Sequence, residues 1–303
     1  MIADLKFNFY TNLMALILDG KIARDSIAEK LKNTFLGLGV PPQLAIIQIG
    51  NRDDSNAYIA QKKKFAEVIG AKVEHITFDE SVRKEDVVRR IEELNNNASV
   101  HGIIIQLPIP QHLDEYELVE KVSPQKDVDG LTSTNLKLLW SNKQGGFVPA
   151  TARGIVSLLD YYKLPLAGKR ITIVGRSILV GKPAVLMMLN RDATVTVCHS
   201  GTCNLEEDTR HADILIVAIG KPKFIGKEHV SSKQIIIDVG INLVSGQSLE
   251  EEIEGTQLVG DVDFDAIKDV VSAISPVPGG VGPMTVASLF ENVAEAYTMQ
   301  INS

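Results

Sequence analysis

Arg170-Ile171-Thr172-Ile173-Val174-Gly175-Arg176-Ser177-Ile178-Leu179-Val180-Gly181-Lys182-Pro183 decides the fold. A short run rich in β-branched residues leads straight into a glycine, and a proline stands where a helix would begin. Strand, glycine turn and helix aim backbone N–H groups at a phosphate. The spacing departs from G-x-G-x-x-G, so a plain tight turn is the alternative.

Around this stretch, apolar runs of strand length alternate with longer segments of helical period, the pattern of βαβ units and a largely parallel α/β sheet. Later strands are read at Ala193 to Cys198, Ile214 to Ala218, Ile235 to Val239, Leu258 to Val259 and Val271 to Ile274. Earlier ones are read at Leu44 to Ile49, Lys72 to Phe78 and Val100 to Gln106. Ser141 to Gly146 breaks the periodicity, and Thr151 to Tyr162 reads as a helix joining two bodies. The expected division is 14–150, with 285–303 returning to it, and 151–284. The return rests on Thr285 to Ile301, where Val286, Leu289, Phe290, Val293, Ala294 and Tyr297 follow i, i+3, i+4 spacing with no later strand to cover.

Composition narrows the function classes. A chain of 303 residues, 45% apolar and 23% charged, buries sizeable cores, which excludes a disordered protein. A net charge of -7 argues against a nucleic-acid partner despite the run Lys62-Lys63-Lys64. Leu13 to Leu18 falls far short of the roughly 20 residues of a membrane span and lacks the flanks of a signal peptide. Cys198 and Cys203 have no spacing partners for a zinc site and read as free thiols in a reducing, cytoplasmic setting. No metal-ligand cluster is apparent.

Three features carry chemistry. The first is Ser275-Pro276-Val277-Pro278-Gly279-Gly280-Val281-Gly282-Pro283-Met284-Thr285, a shaped loop at a sheet end that is either a site wall or a rigid linker.

The second is the slot about 20 residues after the glycine turn, where an NAD site presents a carboxylate to the ribose. Here it reads Cys198-His199-Ser200-Gly201-Thr202. Arg176 can instead pair with a 2'-phosphate and Ser200 donate to it, which points to NADP; a merely solvated arginine is the alternative.

The third is a lysine on an apolar face. On a helix from Ser55 to Ile69, Tyr58, Ile59, Lys62, Phe65, Ala66 and Ile69 share one side, whereas Lys63 and Lys64 read as solvated. Desolvation would lower the Lys62 pKa toward the range of proton transfer, unless the side chain only snorkels from the core edge. Gln106 ends an apolar strand, where open sheets bind ligands. Asp129 adds a carboxylate in Lys126-Asp127-Val128-Asp129-Gly130, although turns also carry Asp for local reasons.

Tyr58-Ile59-Ala60-Gln61-Lys62, Gln106-Leu107-Pro108, Lys126 to Gly130, Val174-Gly175-Arg176-Ser177 and Pro276 to Thr285 stand in the order of the bifunctional methylenetetrahydrofolate dehydrogenase/cyclohydrolase family, which the chain resembles from about Leu16 to its last helix. The resemblance implies a two-domain α/β protein: a catalytic N-terminal domain, a Rossmann-type dinucleotide-binding domain, and a final helix packed on the first. It implies oxidation of 5,10-methylene-tetrahydrofolate with NADP+ and hydrolysis of the methenyl product to 10-formyl-tetrahydrofolate, reactions of one-carbon metabolism that need no metal.

By the same resemblance Lys62 is the central catalytic residue, tuned by Tyr58 and Gln106. Asp129 binds the pterin, and Pro278, Gly279 and Gly280 line the folate pocket. Gly175, Arg176, Ser177, Ser200 and Ile241 hold the cofactor, and the assembly is a homodimer. A monofunctional dehydrogenase of the same fold and a silent nucleotide-binding module are the alternatives, the second disfavoured by the joint presence of Lys62, Gln106 and Asp129. Two departures stand out. Pro149-Ala150-Thr151-Ala152 replaces the family's Pro-x-Thr-Pro, which is expected to loosen the hinge or helix start, and Met1 to Leu13 precede the usual start and are expected to be dispensable.

Overall fold

The structure is a computed structural model and describes residues 15–246 and 255–301. The extension Met1 to Leu13 lies outside them. In chain order the elements are β1 (Leu16–Ile17), α1 (Gly20–Leu36), β2 (Gln43–Ile49), α2 (Asp53–Ile69), β3 (Lys72–Phe78), α3 (Lys84–Asn96), β4 (Gly102–Ile105), α4 (Glu115–Val119), α5 (Ser133–Trp140) and α6 (Ala150–Tyr161). There follow β5 (Arg170–Val174), α7 (Gly181–Leu189), β6 (Thr194–Cys198), α8 (Leu205–Arg210), β7 (Ile214–Val217), β8 (Ile235–Asp238), β9 (Asn242–Gly246), β10 (Gly255–Val259), α9 (Phe264–Ile267), β11 (Ala273–Ile274) and α10 (Val281–Ile301).

Two parallel sheets organise the chain. The first has the order β3-β2-β4. Its central strand is buried on both faces, which is why it reads as a continuous apolar run. Leu44 and Ile46 face α1, α2 and α10, whereas Ala45, Ile47 and Ile49 face Val87, Ile91 and Leu94 of α3. The second sheet has the order β1-β11-β8-β7-β5-β6, all parallel. Ile171, Ile173, Ile214, Ile216 and Ile237 pack on the α6 and α7 side, and Leu215, Val217 and Ile236 on the other.

Three differences from the sequence reading have physical reasons. Leu16–Ile17, at the start of the chain's first expected body, adds an edge strand to the second sheet by pairing with Ala273–Ile274; two residues are too few to show a period. Leu258 and Val259 belong to an antiparallel hairpin with β9 rather than to a parallel strand. Its partner Asn242-Leu243-Val244-Ser245-Gly246 lacks a continuous apolar run, since only Leu243 and Val244 are apolar, and Leu243 is exposed. The last helix begins at Val281, inside the glycine-proline loop.

That helix returns as expected. Val286, Leu289, Phe290, Val293 and Ala296 share a core with Ile59, Phe65 and Ile104, and the Phe65 and Phe290 rings lie 5.5 Å apart. Arg153 ties α6 to α10 through Glu291 and Glu295 at 3.2 and 2.8 Å. Asn292 donates to the Val128 and Val148 carbonyls at 2.8 and 2.9 Å. Despite Ala152, the helix start is intact: α6 begins at Ala150 behind Pro149, and the Arg153 N–H reaches the Pro149 carbonyl at 2.9 Å.

Candidate active site

Lys62 lies just past the middle of α2, a helix whose Asp53 and Asp54 favour the positive N-terminal end and whose C-terminus closes on Gly70 in the left-handed conformation. Ile59, Phe65, Ala66 and Ile69 are buried on the expected face, with Tyr58 and Lys62 half-buried at its margin. Lys62 Nζ donates to Gln106 Oε1 at 2.8 Å. Gln106 is held in turn from both ends: its N–H donates to the Ile47 carbonyl at 2.8 Å, and Nε2 donates to the Leu107 carbonyl at 2.9 Å. The acceptor facing Lys62 is thereby fixed, and the peptide bond that follows, Leu107-Pro108, is cis.

Burial pulls the Lys62 pKa below the usual lysine range, while the charge of Asp129 opposes part of that fall. Asp129 moves the other way: desolvation pushes it up to about 6, partly offset by Lys62. Burial thus works against the charge on both members of the pair, the condition for moving protons near pH 7. Burial also raises the Tyr58 pKa, with Asp54 adding to it.

The turn that carries Asp129 divides its two carboxylates between different tasks. Asp127 Oδ1 accepts from the Gly130 and Leu131 N–H at 3.0 and 3.2 Å, and Oδ2 accepts from the Thr132 N–H and Asn135 Nδ2 at 2.7 and 2.8 Å. It is the local anchor. Among the described residues the Asp129 carboxylate accepts no hydrogen bond, which leaves its oxygens for a ligand.

A cavity of about 940 Å³ runs between α1, α2, the 238–243 segment and the 276–283 loop. Tyr58, Ile241, Pro278, Gly279 and Gly280 line it. Lys62, Gln106 and Asp129 are grouped with one another and stand outside that lining. The sequence reading missed the contribution of α1, whose Lys21, Arg24 and Ala28 form one wall; nothing in the α1 pattern separates a cavity wall from a solvated helix face. It also read Lys63 as solvated, whereas Lys63 Nζ lies 2.9 Å from His75 Nδ1 and is half-buried. The neighbouring strand β3 supplies that partner, which helix period alone does not reveal.

A third group forms the glycine turn. Gly175 has φ of 126°, and a Cβ there would strike the Ala218 carbonyl, so the chain passes from β5 to α7 only through glycine. Ser177 Oγ accepts from the Val180 and Gly181 N–H at 3.2 and 3.3 Å. Arg176 and Ser200 are exposed. His199 Nδ1 accepts from the Gly201 N–H at 3.0 Å, and the His199 backbone N–H donates to Thr202 Oγ1 at 2.9 Å, which shapes the loop that carries Ser200. A carboxylate is absent from this loop, as the sequence indicates. A glycine cradle with an exposed guanidinium beside it fits a phosphorylated dinucleotide. Among the described residues no group of three or more His, Cys, Asp or Glu could hold a metal ion, and no helix is long and apolar enough to cross a membrane.

Comparison with known proteins agrees with this geometry. Residues 18–129 match the catalytic domain of tetrahydrofolate dehydrogenase/cyclohydrolase, and residues 149–301 match the NAD(P)-binding domain of the same family. Bifunctional protein FolD from Methanoculleus marisnigri is 44% identical over 281 residues, covering 93% of this chain and 96% of that protein. The bifunctional methylenetetrahydrofolate dehydrogenase/cyclohydrolase of Campylobacter jejuni superposes with a TM-score of 0.88 at 38% identity, covering 94% of this chain and 99% of its own. The Trypanosoma brucei enzyme, solved with NADP cofactor and inhibitor, gives 0.90 at 32% identity over 96% and 100%. Matched along nearly its whole length in sequence and in fold, the chain belongs to the tetrahydrofolate dehydrogenase/cyclohydrolase family.

Proposed function

We propose that this protein oxidises 5,10-methylene-tetrahydrofolate with NADP+ and hydrolyses the methenyl product to 10-formyl-tetrahydrofolate, using Lys62 as the group that handles the proton. The observation that carries this reading is the Lys62–Gln106 hydrogen bond of 2.8 Å beside an Asp129 carboxylate that accepts no hydrogen bond among the described residues. NADP+, when bound, accepts the hydride that leaves the methylene carbon.

In the hydride step the protein mainly positions. Asp129 accepts N–H bonds from the pterin edge, and Pro278, Gly279 and Gly280 line the pocket that holds the folate. In the second step water adds to the cationic methenyl carbon and gives up one proton, and the adduct's remaining O–H proton passes to the pterin nitrogen as the C–N bond breaks and the formyl C=O forms. A lysine held low by burial takes the water proton as the C–O bond forms and does not repel the cation while neutral. Gln106 Oε1 aims that amine, and Tyr58 stands one turn away on the cavity wall.

Arg176 and Ser200 contact the 2'-phosphate, Gly175 and Ser177 shape the turn, and Ile241 faces the nicotinamide half of the cofactor. The folate-binding part spans 14–150 with 285–303 and the NADP-binding part 151–284. The gap between the family models, 129 to 149, supports a boundary near 150, and the packing of Val286, Leu289 and Phe290 with Ile59 and Ile104 supports placing the last helix with the first part. Its setting is the reducing cytoplasm, in keeping with two free cysteines, as a homodimer by family resemblance.

Supplying the methylene and methenyl compounds separately tests the reading. Both are consumed if it holds. A protein that makes methenyl-tetrahydrofolate but does not hydrolyse it above the spontaneous rate is a dehydrogenase alone.

A further inference from the structure

Two buried aspartates lie outside every role assigned so far. Asp238 closes β8 and Asp261 follows β10; they are 3% and 0% exposed, and neither forms a salt bridge among the described residues. Instead, both carboxylates are spent on backbone N–H groups. Asp261 Oδ2 accepts from Ile219 and Gly220 at 2.7 and 2.9 Å, and Oδ1 accepts from Lys221 and from Asn242 Nδ2 at 2.8 and 2.9 Å. Asp238 Oδ1 accepts from the Gly240 and Asp261 N–H, both at 3.0 Å, and Oδ2 from the Val262 N–H at 2.9 Å.

These bonds tie together segments that backbone pairing also brings side by side, the Lys223 and Ile225 N–H groups reaching the Gly260 and Asp261 carbonyls, respectively, each at 3.0 Å. The segments are the loop after β7, the β8–β9 connection and the residues after β10, separate in sequence, and the first two leave neighbouring parallel strands at their C-terminal ends. A fourth segment is tied in by Ser275 Oγ, which accepts from the Asp238 N–H at 2.8 Å, one residue before the proline-glycine loop. The fit is close enough that a Cβ at Gly260 would strike Asp238 Oδ2. What they hold is the cavity wall itself: Pro222, Val239 to Leu243 and Pro276 all line it.

Burying two anions this close is costly, and the cost is visible in Asp238, whose pKa burial and Asp261 together push up to about 7. A pair of apolar residues would serve packing better. Directional acceptors for backbone N–H groups do what apolar residues cannot: they fix where a loop passes to within a few tenths of an ångström.

We infer that Asp238 and Asp261 are positioning residues for the cofactor, moulding the Gly220 and Ile241 loops into the surface that receives the nicotinamide half of NADP+. The inference rests on the cofactor side of the proposed function. It assigns the pair to cofactor binding and the hydride step, and not to hydrolysis, because Asp261 touches only the dinucleotide-binding side while Lys62 on α2 and Gln106 after β4 belong to the other body.

The test is Asp261→Asn in the full-length protein, with NADP+ affinity read by direct titration and cyclohydrolase rate read with supplied methenyl-tetrahydrofolate. One of its oxygens becomes an N–H2 group, so at least one loop loses its acceptor. The expected result is a rise in the NADP+ Kd of about tenfold or more, with hydrolysis within twofold of the parent, on the scale of a charge-assisted bond. Equal loss of both, or an unchanged Kd, overturns the inference.

Asn242→Ala, which removes the half-buried donor that reaches Asp261 and, at 3.4 Å, the Val259 carbonyl, serves if Asp261→Asn does not fold; a Kd raised severalfold supports the assignment and an unchanged one refutes it. Because the titration needs no turnover, a parent that binds NADP+ yet lacks either activity would count against the proposed function alone.

Discussion

The two halves of the site solve opposite problems. Around Lys62 the protein places few polar groups, each half-buried and poorly solvated, and lets burial set their protonation. Around Gly175 it leaves Arg176 and Ser200 exposed and fixes only the backbone. Chemistry on a cation needs charge states tuned by desolvation. Holding a phosphate needs a shaped backbone and a charge that stays on. Substitution at a tuned group should therefore cost rate, and substitution at an exposed one should cost affinity.

The largest expected effect is at Lys62. Lys62→Met keeps most of the stem packing and removes the amine. Cyclohydrolase activity should fall by about 100- to 10,000-fold, the usual range for a general acid-base group, and dehydrogenase activity should fall less. Kinetics with supplied methenyl-tetrahydrofolate, corrected for spontaneous hydrolysis, checks this. Near-normal hydrolysis by a folded variant would erase the contrast between the two halves.

Within the first half, Asp127 and Asp129 sharpen the same point. Asp127→Ala leaves the Gly130, Leu131 and Thr132 N–H groups and Asn135 Nδ2 without their acceptor, which should cost about 3 kcal/mol of stability. Asp129→Asn should stay within about 1 kcal/mol of the parent at pH 7, since relief of burial and loss of the attraction to Lys62 oppose each other.

The pH dependence follows from the raised value. A carboxyl at about 6 when folded, above its ordinary 3.8, adds stability below pH 4 that is lost as pH rises through 6, up to about 3 kcal/mol. Asp238, at about 7, titrates in an overlapping window, so the difference between parent and variant isolates Asp129. Denaturant melts at pH 4 and pH 7 should show a shallower loss for Asp129→Asn. Equal slopes would mean that Asp129 is not buried as a carboxyl.

The second half should answer differently. Arg176→Ala should raise KM for NADP+ about tenfold or more, the roughly 1.5–3 kcal/mol of charge-assisted hydrogen bonds, and KM for NAD+ much less. Melting temperature should not move, because the Arg176 side chain is exposed. Equal losses with both cofactors would deny the 2'-phosphate contact.

Sequence legibility divides along the same line. Lys72–Phe78 and Arg170–Val174 are read to the residue, because both are parallel strands with strong β-branched signal. Lys62 is legible as a charge on an apolar face, and its bond to Gln106 agrees with that reading. Which of Asp127 and Asp129 anchors the turn is not legible, since both are Asp two residues apart and only the three-dimensional path of residues 130–135 separates them. Asp238 and Asp261 escape for a related reason. Each ends or follows an apolar run beside a glycine, as many surface turns do, and their burial comes from loops more than 15 residues away.

The smallest effect concerns the hinge between the halves. Ala152 stands where the family carries proline, yet α6 begins cleanly at Ala150. Ala152 is the third helical residue, so its N–H is one of the first-turn donors with no partner inside the helix, and a proline there forfeits no helical hydrogen bond. Ala152→Pro should therefore stabilise by about 0.4–1 kcal/mol through the unfolded chain, a rise of roughly 1–4 °C in Tm. Both activities should remain within twofold, because neither half of the site contacts residue 152 directly. The opposing term is space: Ala152 is fully buried against the α6 side of the second sheet, and overpacking there costs about 1–3 kcal/mol. A fall in Tm of several degrees would show that this core has closed around alanine, making the hinge of this chain a repacked one and not simply one that lacks a proline.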